Sequence, residues 1–158
     1  MFRELTRPQK KLPMEECIAL LKTEKRGVLS VCGEDGYPYG MPMNHFYDET
    51  DGKIYFHSGK GGHRTDAIKK DDKVSFCVCD SGTKKDGHWA LTVKSVVVFG
   101  RIRIIEEPER IVSIATKLSR KFTTDEDYIK AEIKGNLKNT LLLELTIEHL
   151  CGKWVVEA

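Results

Sequence analysis

Lys53-Ile54-Tyr55-Phe56-His57-Ser58-Gly59-Lys60-Gly61-Gly62-His63-Arg64-Thr65 joins a short apolar strand to a glycine-rich, cationic turn and the start of a helix. In an extended chain Ile54 and Phe56 face one side and Tyr55 and His57 the other. Beyond the strand, Ser58 offers a hydroxyl, and Gly59, Gly61 and Gly62 allow backbone amides to approach a ligand. Lys60, His63 and Arg64 place positive charge beside the first turn of a helix expected to run to about Lys70. Unpaired helix amides beside a guanidinium fork suit a phosphate monoester. The glycine spacing matches neither a P-loop, which closes on Gly-Lys-Ser/Thr, nor G-x-G-x-x-G, so a nucleoside triphosphate is not the expected ligand. Taken alone, the motif also reads as a solvated basic loop.

The flanking sequence predicts a β-rich domain. A helix opens at Pro13, carries Glu15 and Glu16 in its first turn and Lys25 and Arg26 in its last, and stops at Gly27. Met14, Cys17, Ile18 and Leu21 give it one apolar face. Strands are predicted at Val28 to Cys32, Tyr37 to Tyr47, Lys53 to Ser58 and Lys73 to Cys79, the first three joined as antiparallel hairpins by turns at Gly33 to Gly36 and Asp48 to Gly52. A longer strand system spans His88 to Ile105, with Gly100 at a bulge or bend. Pro108 opens a second helix with an apolar stripe of Ile111, Ile114, Ala115, Leu118 and Phe122, and Thr124 caps a third. In the last strand, Thr140 to Ile147, Leu141, Leu142, Leu143 and Leu145 exceed strict alternation, as in a strand covered on both faces or buried in a subunit contact. The expected architecture is mainly β, a six-stranded antiparallel barrel with peripheral α-helices, in one domain over residues 1–158.

Composition excludes more than it identifies. A net charge of +2 over 158 residues does not indicate nucleic acid or an anionic membrane as a partner. No apolar run reaches the roughly 20 residues of a membrane span, and the first residues lack a signal-peptide core, so a cytoplasmic protein is expected. The five cysteines are read as reduced thiols, with Cys77 and Cys79 as core residues rather than a metal pair. His45, His57 and His63 show no metal-ligand spacing such as H-E-x-x-H and are read as pocket-wall residues; no metal is expected. Trp89 and Trp154 are read as core.

Arg26 to Val31, Asp35 to Tyr47, the basic turn, Lys94 to Ile105 and Cys151 to Lys153 occur in an order that resembles the flavin-binding split-barrel family typified by pyridoxamine 5'-phosphate oxidase, and within it the Nim-type nitroimidazole-resistance proteins. The resemblance covers nearly the whole chain. It implies an FMN cofactor whose phosphate is held by Ser58, Lys60, Gly62, His63, Arg64 and Thr65. It places the flavin ring along Met43, Asn44, His45, His57, Ser95, Val96 and Val97. Where the family has an aromatic and an arginine before its Ser-Val pair, this chain has Val93 and Lys94, and lysine lacks the bidentate fork. The resemblance further implies a homodimer with flavin sites at the interface, Trp154 closing over the partner's flavin. It implies NAD(P)H as donor and a small nitroaromatic acceptor. His57 is the expected proton-transfer residue, because imidazole titrates near working pH. A haem-binding split barrel using His45 or His149, a non-catalytic flavin module, and a pyridoxamine phosphate oxidase are the alternatives. The last lacks its arginine-proline run, since the chain ends GKWVVEA.

Overall fold

Hairpin geometry begins at Asp35 and Gly36, whose φ values of 54° and 77° turn the chain back on itself. An Asp-Gly pair tolerates the left-handed region where bulkier residues do not. Around this turn β1 (Arg26–Cys32) pairs antiparallel with β2 (Pro38–Asn44), Arg26 facing Asn44 at the far end. The computed structural model describes residues 2–157. The remaining strands are β3 (Phe46–Asp48), β4 (Lys53–Gly59), β5 (Lys73–Cys79), β6 (Thr83–Lys84), β7 (Leu91–Ile105) and β8 (Thr140–Glu157). Four helices accompany them: α1 (Met14–Thr23), α2 (His63–Lys70), α3 (Pro108–Ser119) and α4 (Glu126–Asn136).

All strand pairs are antiparallel, in the order β2-β1-β5-β7-β8-β4-β3, with β6 pairing to β7. The two ends of this path, β2 and β3, are separated in sequence only by His45. The sheet therefore has to curl until its edges meet at that residue, which makes it a split barrel. The expected single strand from Tyr37 to Tyr47 is thus two, because one end pairs with β1 and the other with β4. With β2 and β3 taken as one run and the two-residue β6 set aside, the long strands are the six expected.

One register shift bends the long β7–β8 ladder, between Phe99 and Gly100. A Cβ on Gly100 would collide with the Thr146 carbonyl oxygen, so only glycine permits this approach. The barrel interior holds Leu29, Phe56, Phe76, Val96, Val98 and Leu143, and α1 covers one end through Cys17, Leu20 and Leu21. A second cluster, Tyr55, Ile105, Ile111, Ile114 and Leu142, lies between the sheet and α3. The leucine run of β8 is explained by these two layers: Leu143 and Leu145 face the barrel while Leu142 faces α3. β8 itself continues for ten residues past the expected end at Ile147, to Glu157, which pairs with Leu91 at the start of β7.

Several placements differ from the sequence reading. Met14 is exposed, because α1 packs through positions beginning at Cys17. Phe122 lies past the end of α3 and is exposed, with the Lys25 ammonium 5.4 Å from its ring. Cys77 and Cys79 are exposed rather than core, since Val74, Phe76 and Val78 take the inward positions of β5. Trp89 is 74% exposed in the segment between β6 and β7, whereas Trp154 packs partly buried against the core with the Lys10 ammonium 5.0 Å from its ring. Asp125, not Thr124, caps α4 by accepting from the Tyr128 amide at 3.0 Å. Asp125→Ala should cost about 1 kcal/mol of stability, read as a lower Tm, while leaving ligand binding unchanged.

Candidate functional site

Where β2 and β4 diverge across the split, a cavity of about 490 Å³ opens, within the range of small-molecule pockets. It is lined by Arg26, Pro42, Met43, Asn44, His57, Ser58, Gly59 and Arg64. Strand alternation turns Ile54, Phe56 and Ser58 toward the barrel and Tyr55 and His57 toward α3, so the end of β4 contributes both faces to the site. Gly62, at φ 107°, turns the chain into α2. The next turn carries Arg64 back over the strand it has just left.

Arg64 is the centre of the arrangement. Its Nη2 donates to Ser58 Oγ at 2.5 Å and its Nη1 to Met43 Sδ at 3.2 Å, while Nε is buried without a partner. Among the described residues no carboxylate lines the cavity. A partly buried guanidinium ordinarily sits opposite an anion. Burial disfavours its charge here, as the lowered pKa direction indicates, and the site therefore gains most from a ligand that brings the anion with it. Arg26 adds a second guanidinium, positioned by its Nε donating to Asn44 Oδ1 at 3.0 Å.

Of the residues named from sequence, Met43, Asn44, His57, Ser58 and Arg64 converge on this cavity. His57 lines the cavity while remaining exposed at its mouth; desolvation first, and the Arg64 charge second, lower its pKa from the ordinary imidazole value. Thr65 is buried and its hydroxyl donates to the Gly62 carbonyl at 2.7 Å, so it shapes the turn rather than facing a ligand. His63 stacks on Tyr39 with ring centroids 4.2 Å apart, tying α2 to β2. Lys60 and Gly62 are exposed beside the cavity without lining it. Val96 is fully buried in the barrel, and Ser95 and Val97 point to the outer face of the sheet, opposite Lys153 and Cys151. Trp154, on the same ladder opposite Lys94, does not line the cavity either.

His45 is corrected outright. It is 0% exposed, packs edge-on to Phe76 at 4.9 Å, and lies 2.8 Å through Nε2 from the Leu21 carbonyl, leaving Nδ1 unpartnered. Burial and the Lys121 charge push its pKa down to about 4. It locks α1 onto the break between β2 and β3 and does not line the cavity. His149, the other haem candidate, stacks on Phe2 at 4.8 Å.

Arg26 and Pro42 are the residues the sequence reading missed. Arg26 was read as the last turn of α1, yet the signal existed. With the β1–β2 turn centred on Asp35, antiparallel register carries Arg26 to a position directly opposite Asn44. Among the described residues no group of three or more His, Cys, Asp or Glu side chains is placed to hold a metal ion, and no helix is long and apolar enough to cross a membrane.

Residues 13–154 match the family model described as pyridoxamine 5'-phosphate oxidase. Among solved structures, the chain resembles a candidate 5-nitroimidazole antibiotic resistance protein from Bacteroides thetaiotaomicron, at TM-score 0.78 and 18% identity over 92% of this chain and 87% of that one. A conserved hypothetical protein from Mycobacterium tuberculosis superposes at TM-score 0.80 and 18% identity, covering 95% and 90% of the two chains. An FAD-binding protein from Mesorhizobium loti gives TM-score 0.66 and 22% identity over 92% and 97%. No match is found among curated protein sequences.

Proposed function

The chain belongs to the pyridoxamine 5'-phosphate oxidase family, and from that premise we propose that it is a flavin-dependent oxidoreductase using the cavity between β2 and β4. The observation that carries this reading is the Arg64 guanidinium, partly buried beside Ser58 with an unpartnered Nε and no carboxylate on the cavity wall. FMN is the smallest flavin that meets this requirement. When bound, a flavin supplies the two-electron chemistry, accepting hydride from a reduced nicotinamide and delivering it to a small acceptor of the nitroaromatic class.

The residues of the chain bind and orient. Arg64 and Ser58 hold the phosphate, with Lys60 adding charge from the exposed turn; Arg26 and Asn44 present hydrogen-bonding groups to the polar edge of the ring. Met43 supplies the apolar wall. His57 is neutral near pH 7, so its ring acts there as a hydrogen-bonding group and becomes a proton donor only as pH falls. The active form is a homodimer. Its contact uses the outer sheet face, where Val28, Cys77, Val97 and Phe99 form an apolar strip leading to Pro42 at the cavity rim. This arrangement brings Ser95 and Val97 of a second copy toward the ring. A sedimentation experiment showing a monomer at micromolar concentration would remove that part of the reading.

The direct test is the visible spectrum of the purified chain, followed by anaerobic turnover of NAD(P)H with a nitroimidazole. A flavin spectrum and acceptor-dependent oxidation of NAD(P)H are expected. His57→Gln should retain the flavin but lower turnover and flatten its acid-side rise, since the protonated imidazole is populated only at low pH. A Soret band, or a chain that refuses added flavin, would sink the proposal.

A further inference from the structure

A second cavity of about 400 Å³ lies against the first and shares His57, Ser58 and Gly59 with it. It is enclosed by α3, α4 and the short helical turn Leu137–Asn139 that leads into β8. Nothing in the oxidoreductase reading uses it. We propose that this cavity takes the adenosine half of a dinucleotide flavin, so that the chain selects FAD over FMN; the inference rests on the flavin reading above.

Position is the first argument. The two cavities meet at Ser58 and Gly59, beside the Arg64 guanidinium, which is the phosphate end of the flavin site. A group to be reduced must stack against the ring at the other end. What lies past that phosphate is whatever is joined to it; in FAD that is a second phosphate, which stays at the Arg64 and Lys60 end, and then adenosine, which enters the second cavity.

The chemistry of the walls agrees. Ile111, Leu118, Ile133 and Leu137 give apolar surfaces suited to the flat faces of a purine. Among the described residues no lysine or arginine lines the cavity, so it suits the uncharged adenosine rather than an anion, and both phosphates of FAD stay outside it. Its one carboxylate, Glu132, is exposed at the mouth and engaged only by Asn136 Nδ2 at 3.4 Å. A carboxylate in that place accepts hydrogen bonds from ribose hydroxyls, as acidic residues do in dinucleotide sites, and repels a phosphorylated ribose.

Titrating the flavin-stripped full-length chain with FMN and with FAD, by quenching of flavin fluorescence, tests the assignment. FAD should bind at least about tenfold more tightly than FMN, the margin of one well-filled subsite. Ala115→Phe, which fills the cavity from half-buried α3, should abolish that margin without altering FMN affinity, and Glu132→Gln at the surface should narrow it. Equal or tighter binding of FMN, variants that weaken both flavins alike, or variants that leave FAD affinity unchanged would overturn the adenosine site while the flavin reading stands. Failure of both flavins to bind would overturn the flavin reading as well.

Discussion

Arg64→Ala lowers flavin affinity by about 1.5–3 kcal/mol, the scale of hydrogen bonds to a charged group, and does so without lowering the stability of the flavin-free protein. The two halves of this expectation come from one observation. In the free chain Arg64 contacts a hydroxyl and a thioether, has no carboxylate, and leaves Nε buried and unpartnered. Removing it therefore relieves desolvation in the absence of ligand and removes the anion's partner in its presence. Arg64→Lys should fall between, since lysine restores the charge but not the fork. Flavin titration and thermal melts of the three proteins make the check. Unchanged affinity in the alanine variant would show that the anion lies elsewhere, and a large loss of Tm without flavin would make Arg64 a structural residue.

The second large effect is on stability and involves Glu144, which the sequence reading passed over amid the leucines of β8. Glu144 is 1% exposed. Its Oε1 accepts from Lys53 Nζ at 2.9 Å and Arg103 Nε at 2.7 Å, and its Oε2 from Arg110 Nη2 at 2.5 Å. The Tyr55 hydroxyl lies 2.5 Å from Asp51 Oδ2 and 3.1 Å from Glu144 Oε2. Glu144→Gln keeps the volume but leaves three cations converging on a neutral amide. The expected loss is about 2–4 kcal/mol at pH 7, toward the lower end at high salt because the cationic partners are partly exposed. In a chain of this size that is a fall in Tm on the order of 10 °C.

The pH dependence separates this mechanism from a packing defect. Burial acts to raise the Glu144 pKa, but hydrogen bonds from Arg103, Lys53 and Arg110 outweigh it and bring it down to about 2 from the ordinary 4.5. A carboxyl whose folded pKa is depressed contributes its stabilisation above the unfolded value and loses it as pH falls through the folded one. The wild-type protein should therefore lose this contribution between pH 4.5 and about 2. Over that window its Tm should approach that of Glu144→Gln. A gap that stays constant with pH, or a variant as stable as the wild type at pH 7, would refute the assignment.

Local signals were enough for much of this architecture. The alternation in Lys53–Ser58, the Asp-Gly turn at Asp35, the proline-opened helices and Gly100 at its bulge each express a constraint acting within a few residues, and each is visible in the residues themselves. Ser58 and Arg64 belong to the same class: the glycine-rich turn between them is short enough that the guanidinium must return over the strand end. What sequence could not decide was which face of a strand points inward when both faces are apolar, so Cys77 and Cys79 were placed in the core and emerged on the surface. Nor could it show that His45 stands at the closure of the barrel, where α1, β2 and β3 bury its ring against Phe76. Arg26, Glu144 and the cavity under α3 and α4 depend on pairings between distant segments, Glu144 with Lys53 across the β4–β8 ladder among them. Such contacts are set by sheet register and helix docking, which arise only when the whole chain closes on itself.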